Sequence, residues 1–161
     1  MREILFKAKQ KDWSDLPEES WWVEGYYAMM GKCNLIRHYI VQNCALTGLF
    51  EDPEENMYFN DVEIDPETLC QYTGLVDKNG KRIWENDIIS INTYDYMEPE
   101  EDFFGRVVYL EKWACWCIQL PGEEKFIPLC ECEGSYQTDR FVEGNVFDNH
   151  EMWRKEKESE D

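Results

Sequence analysis

Apolar residues along this chain come in short runs, many alternating with polar ones, and the runs are separated by Gly, Pro, Asn and Asp. A period of two predicts half-buried strands rather than helices. Ile4-Leu5-Phe6 reads as a first strand, and Trp21-Trp22-Val23 with Tyr26-Tyr27-Ala28-Met29-Met30 as a second. Gly31-Lys32 then turns the chain into residues 35–41, too β-branched and too short for a helix. Residues 43–63 are polar and turn-rich, with Gly48, Asp52-Pro53 and Asn60-Asp61, and read as a long loop with local structure. Further on, strands are expected at 88–91, 106–110, 113–120, 125–129 and 140–147, with an acidic loop at 97–102. Residues 150–161 have the makings of one or two helical turns, capped by Asn149 and then dissolved by charge. No internal repeat or long low-complexity linker interrupts this order.

The densest backbone punctuation lies in residues 65–91. Asp65-Pro66 suits a short helical turn: Asp accepts from the turn's free N–H groups, and Pro is tolerated at the first position because no partner awaits its missing donor. Asn79-Gly80 sits between Leu75-Val76 and Ile83-Trp84. An Asn-Gly pair that takes positive φ at both positions makes a two-residue type I′ hairpin turn. Glu85-Asn86-Asp87 forms a second polar corner, after which Ile88-Ile89-Ser90-Ile91 restarts an apolar run.

At these residues the chain resembles the YopX family of phage and prophage proteins. The resemblance is carried by Asp65-Pro66-Glu67-Thr68, Gln71-Tyr72-Thr73-Gly74-Leu75, Asp77, Asn79-Gly80, Ile83, Glu85 and Asp87-Ile88. Met1-Arg2-Glu3-Ile4 with Phe6 and Ala8, and Val142-Glu143-Gly144-Asn145-Val146-Phe147-Asp148-Asn149, resemble the family's two ends. Cys70 and Asn86 stand where Gly is usual in the family, and His150 where Pro is common. Asn is the best non-Gly residue at positive φ, so Asn86 is expected to be left-handed. The resemblance implies a mainly β fold with an SH3-like barrel core, additional N-terminal strands and short helical turns. It implies no established activity. On that frame residues 1–150 form a single domain, with N-terminal strands at 1–42, an insertion at about 43–63, the barrel core at about 71–147 and an acidic tail at 151–161.

Composition narrows the function. The 161 residues include 35 Asp and Glu against 16 Lys and Arg, for a formal net charge of −19. Such a surface repels phosphate backbones and anionic lipid, so nonspecific nucleic-acid binding and a membrane partner are not expected. No apolar run has the length of a membrane span and the N-terminus lacks a signal-peptide core, which points to the cytoplasm of a bacterial host. Seven cysteines, an odd number in a chain of this size, fit reduced thiols better than a disulfide framework.

Candidate chemistry is thin. Cys115-Trp116-Cys117 and Cys130-Glu131-Cys132 are two C-x-C pairs whose four thiolates can approach tetrahedral zinc from neighbouring strands. The usual structural spacing is longer, however, and alternation puts both Cys of a C-x-C on one strand face, where small apolar residues pack well. His38 and His150 are the two imidazoles, and neither lies in a recognisable nucleophile context. The aromatic clusters Trp21-Trp22, Tyr26-Tyr27, Tyr94 with Tyr96, and Trp113 with Trp116 read first as core and second as stacking surfaces. No P-loop or G-x-G-x-x-G occurs, and no catalytic residue or cofactor is implied.

The resulting expectation is a non-enzymatic protein-interaction module whose partner presents a basic surface, with a homo-oligomer left open. A second reading is an acidic nucleic-acid mimic that inhibits a host DNA-binding protein, using the runs at 98–102 and Glu54-Glu55. A third is a metal-binding protein built on the C-x-C pairs.

Overall fold

A computed structural model describes residues 3–32, 35–46, 57–94, 101–122, 124–129 and 137–155. The chain is mainly β and divides into two compact units, Met1–Gln71 and Tyr72–Asp161.

In the first unit, β1 (Phe6–Lys9), β2 (Trp22–Lys32), β3 (Leu35–Leu46) and β4 (Met57–Glu63) form an antiparallel sheet in the order β4-β3-β2-β1. The start of β5 (Cys70–Val76) pairs with β1, Phe6 opposite Gln71 and Lys7 opposite Cys70. Ala8, Val23, Ile40 and Ile64 make the core, with Phe6, Tyr27, Val62 and Leu69 packed on them. The alternation that predicted strands is what selects these residues, because in β1 and β2 every second side chain faces the core. The first strand is later than expected, at Phe6–Lys9, and the strands also reach into the stretch read as a loop, since β3 runs to Leu46 and β4 begins at Met57. Polar residues such as Gln42, Asn60 and Asp61 hid that continuation, and Asn60 Nδ2 in fact donates across the pair to Gln42 Oε1 at 2.9 Å. Residues 47–56 of that stretch lie outside the described residues.

In the second unit, the rest of β5 pairs with β6 (Arg82–Trp84). A five-stranded antiparallel sheet follows, built from β7 (Asp87–Tyr94), β8 (Glu101–Leu110), β9 (Cys115–Gln119), β10 (Phe126–Pro128) and β11 (Gln137–Asn145) in the order β10-β9-β8-β7-β11. Among the described residues β10 and β11 remain its edges, so the pairings give an open sheet and no closed barrel. Its core is Ile83, Ile89, Ile91, Val107, Trp116, Ile118 and Leu129. Each wholly buried Ile contributes about 1.5–3 kcal/mol, so this cluster is a large favourable term in the unit. The expected strand at 113–120 is shorter, because Glu111–Trp113 forms a 3₁₀ turn and Ala114 is left-handed at φ 51. The helix at the end, α1 (His150–Lys155), is present. Asn149 does not spend its side chain on it: Oδ1 accepts instead from Asn145 N–H at 3.1 Å. Residues 156–161 of the tail and 95–100 of the acidic loop lie outside the described residues.

Candidate functional site

The residues that carry the family resemblance form buried polar corners. Asp65 begins the 3₁₀ turn Pro66–Thr68 and accepts from Glu67 N–H at 3.1 Å. Buried Thr68 donates to Asp65 C=O at 2.8 Å and accepts from Lys9 N–H at 2.8 Å, tying the turn to β1. Gln71 sits in the β1 ladder, while the Tyr72 ring packs 5.3 Å from that of Trp84. Thr73 Oγ1 donates to Ile83 C=O at 2.7 Å and accepts from Leu75 N–H at 3.1 Å, and Gly74 takes φ 88 where the β5–β6 register shifts. Cys70, buried with its thiol donating to Thr68 C=O at 3.3 Å, has ordinary φ, so no special backbone is lost where Gly is usual.

The hairpin differs from the two-residue type I′ turn that its Asn-Gly pair predicts. Gly80 has φ 82, but Asn79 does not have positive φ. Gly80 N–H donates to Asp77 C=O at 3.0 Å and Asp77 N–H to Lys81 C=O at 2.8 Å, which is the pattern of a three-residue loop ending in a left-handed Gly rather than a two-residue type I′ turn. The cause is Asp77. Its Oδ1 accepts from Asn79 N–H and Lys81 N–H, both at 2.8 Å, and its Oδ2 from Val142 N–H at 3.2 Å. Burial works against ionisation of Asp77, but these three backbone donors and the Lys81 charge outweigh it and hold the carboxyl below its ordinary pKa.

The second corner is as expected: Asn86 is left-handed at φ 66. Its N–H donates to Val107 C=O at 2.8 Å and its C=O accepts from Val146 N–H at 3.0 Å. Arg106 Nε donates to Asn86 Oδ1 at 3.0 Å. Asp87, wholly buried, accepts from Trp84 N–H at 2.8 Å and from Asn145 Nδ2 at 3.0 Å. The Asp77 and Asp87 carboxylates and the Asn86 and Asn145 amides are engaged by backbone and by one another, so they close corners.

The Sγ atoms of Cys115 and Cys117 are 3.6 Å apart on one side of β9, Cys117 in the core and Cys115 half-buried. Cys130 and Cys132 lie outside the described residues, as do the acidic residues 98–100, Glu54 and Glu55. Among the described residues no group of three His, Cys, Asp or Glu is placed to hold a metal. His38 Nδ1 is hydrogen-bonded to Tyr27 OH at 2.6 Å, and the two rings stack; His150 is exposed at the start of α1.

The first unit carries a further cluster that the order of residues does not by itself reveal. Trp13 and Trp21 do not fill the core: with Trp22 they surround the ammonium of Lys9, whose centroid distances are 3.6, 4.4 and 5.7 Å. Lys9 is 1% exposed. Beside this box is a groove of about 570 Å³, walled by Trp13, Ile36 and His38. Glu63 is shared across it by two cations, Lys11 Nζ at 3.0 Å and Arg37 Nη1 at 3.8 Å, with Asp12 and Asp65 alongside. The signal available was the clustering of Lys and Trp between residues 7 and 22, which only the pairing of β1 with β2 converts into a box.

Taken together, the two antiparallel sheets, the Asp-Pro turn and the Asp77 and Asn86 corners define a small mainly β protein organised by polar turns. The chain belongs to the YopX family: the profile described as YopX protein matches residues 17–153, most of its length. No curated protein matches the chain.

Proposed function

We propose that this phage-type protein is a non-enzymatic interaction module, acting in the cytoplasm of a bacterial host, and that it docks a protein partner in the groove of the first unit. The observation that carries this reading is the shared Glu63. Its carboxylate sits at the surface between Lys11 and Arg37, next to an indole wall, where a partner's Lys or Arg can compete for it. Asp12 and Asp65 add negative charge to the groove, and the net charge of −19 speeds encounter with a basic surface. The SH3-like barrel belongs to the same proposal: it rests on the family resemblance and on the five-stranded antiparallel sheet β10-β9-β8-β7-β11, which would have to close between β10 and β11.

Affinity capture from host lysate tests the docking. Wild-type protein is expected to retain a partner that is released as salt rises, and Glu63→Lys to retain little of it. Equal capture by both proteins would remove the groove from the account.

A further inference from the structure

Cys115 and Cys117 are two residues apart on β9, and alternation sends both side chains to one face of the strand. Their Sγ atoms lie 3.6 Å apart, in contact and unbonded. Leu110 stands opposite Cys115, and Val108 and Pro128 stand opposite Cys117, so no carboxylate lies directly across from either thiol. The two cysteines differ in access. Cys117 is wholly buried at mid-strand, its position held on both sides by the ladders to β8 and β10. Cys115 is half-buried at the first residue of the strand, where the chain has just left the Glu111–Trp113 turn through left-handed Ala114.

We propose that this pair is a dithiol exchange site for small-molecule disulfides, in which Cys115 attacks and Cys117 resolves, leaving a reversible bond between the two. The thiolate of Cys115 attacks one sulfur of a disulfide R–S–S–R. The reagent's S–S bond breaks, one R–S⁻ leaves and takes up a proton, and a mixed disulfide forms at Cys115. Cys117, its sulfur already 3.6 Å away, gives up its proton and attacks Cys115 Sγ, which expels the second R–S⁻. In balance, two protein thiols lose two electrons and one reagent disulfide becomes two thiols. Access sets the order of attack, because a reagent reaches half-buried Cys115 before wholly buried Cys117. Spacing sets the lability of the product. Residues two apart in an extended antiparallel strand have Cα atoms about 6.8 Å apart, at the upper limit for a relaxed disulfide, so the closed bond is strained and easily reduced. The dithiol is then the resting form in a reducing compartment, and closure is a response to oxidant, the usual role of disulfides there. Zinc has the weaker claim on the pair: it takes four donors, of which these thiols supply two, whereas exchange needs the pair alone. This goes beyond docking in the groove and does not depend on it.

The sequence makes the pair separately readable. Trypsin cleavage after Lys112 and Lys125 releases residues 113–125, a peptide whose only cysteines are Cys115 and Cys117. The native full chain is incubated with oxidised glutathione, quenched with an alkylating reagent, digested and measured by mass spectrometry. The wild-type peptide is expected to be two hydrogens lighter and unalkylated, and to regain both alkylation sites after treatment with dithiothreitol. Cys117→Ser should trap the glutathione adduct on Cys115. Cys115→Ser should take up at least about tenfold less, because the remaining thiol is buried. Circular dichroism verifies that both variants fold, Cys117→Ala replaces Cys117→Ser if serine unsettles the buried position, and the wild-type result requires no substitution at all. A wild-type peptide that stays fully alkylated, or that carries glutathione without closing, would overturn the proposal. So would equal adduct on the two folded variants, which would remove the order of attack.

Discussion

Asp77 closes two places in the chain at once. Its Oδ1 organises the hairpin loop through Asn79 and Lys81, and its Oδ2 reaches Val142 where β11 slips register against β7. Only an ionised carboxylate accepts all three N–H groups with full strength, and this is why its pKa is lowered in the fold. The sign of the pH effect follows. A group with a depressed folded pKa contributes stability that is fully present above the unfolded carboxyl value, about 3.9, and is lost as pH falls through the folded value. Asp77→Asn should therefore destabilise by on the order of 2 kcal/mol at pH 7, since one acceptor becomes a donor facing backbone N–H groups. The gap between variant and wild type should narrow as pH drops below about 4, which urea titrations at several pH values would measure. A gap independent of pH would show that the carboxylate's charge is not what holds the turn.

At the scale of elements, sequence legibility divides along physical lines. The strand runs were readable because alternation is local, and the Asn86 corner because positive φ admits few residue types. At residues 77–81 the Asn-Gly pair predicted a turn in the right place and of the wrong type, because an upstream Asp side chain outweighed the pair's own preference. The tryptophan box was not legible at all, being assembled across the β1–β2 pairing from a loop of two 3₁₀ turns, Trp13–Asp15 and Glu18–Ser20. That loop buries no residue within its turns and is pinned by contacts at its margins: Gln10 Nε2 donates to Ser20 C=O at 2.6 Å, Trp21 Nε1 to Leu16 C=O at 2.9 Å, and the Lys9 ammonium faces Trp13 and Trp21. A desolvated cation over an indole is worth about 2 kcal/mol. Lys9→Met keeps the apolar stem and removes the charge, so it should cost about that amount and open the loop to proteolysis between Asp12 and Ser20. Limited proteolysis with mass mapping reads the second effect separately from global stability; unchanged cleavage would mean that the loop is held by its hydrogen bonds alone.

For the molecule as a whole, net charge and its placement must be considered together. The sequence contains two basic clusters, Lys7-Lys9-Lys11 and Lys78-Lys81-Arg82, which in isolation resemble phosphate contacts. The fold occupies them. Lys9 is sealed under Trp13 and Trp21, Lys11 is paired with Glu63, Lys78 with Asp139, Lys81 Nζ lies 3.5 Å from Val142 C=O, and the Arg82 guanidinium sits over Tyr72. A phosphate backbone would have to displace those partners while approaching a body of −19, and each new pairing with phosphate would be offset by repulsion from the surrounding carboxylates. Nonspecific duplex DNA should therefore not bind even at low ionic strength, where such pairings are strongest. Fluorescence polarisation with a labelled random duplex at low salt makes the measurement. Binding that weakened steeply with salt would mean that several of these side chains leave their partners for phosphate, and it would overturn the occupied-cluster account. Absence of binding would agree with clusters held by their intramolecular partners under a net charge of −19.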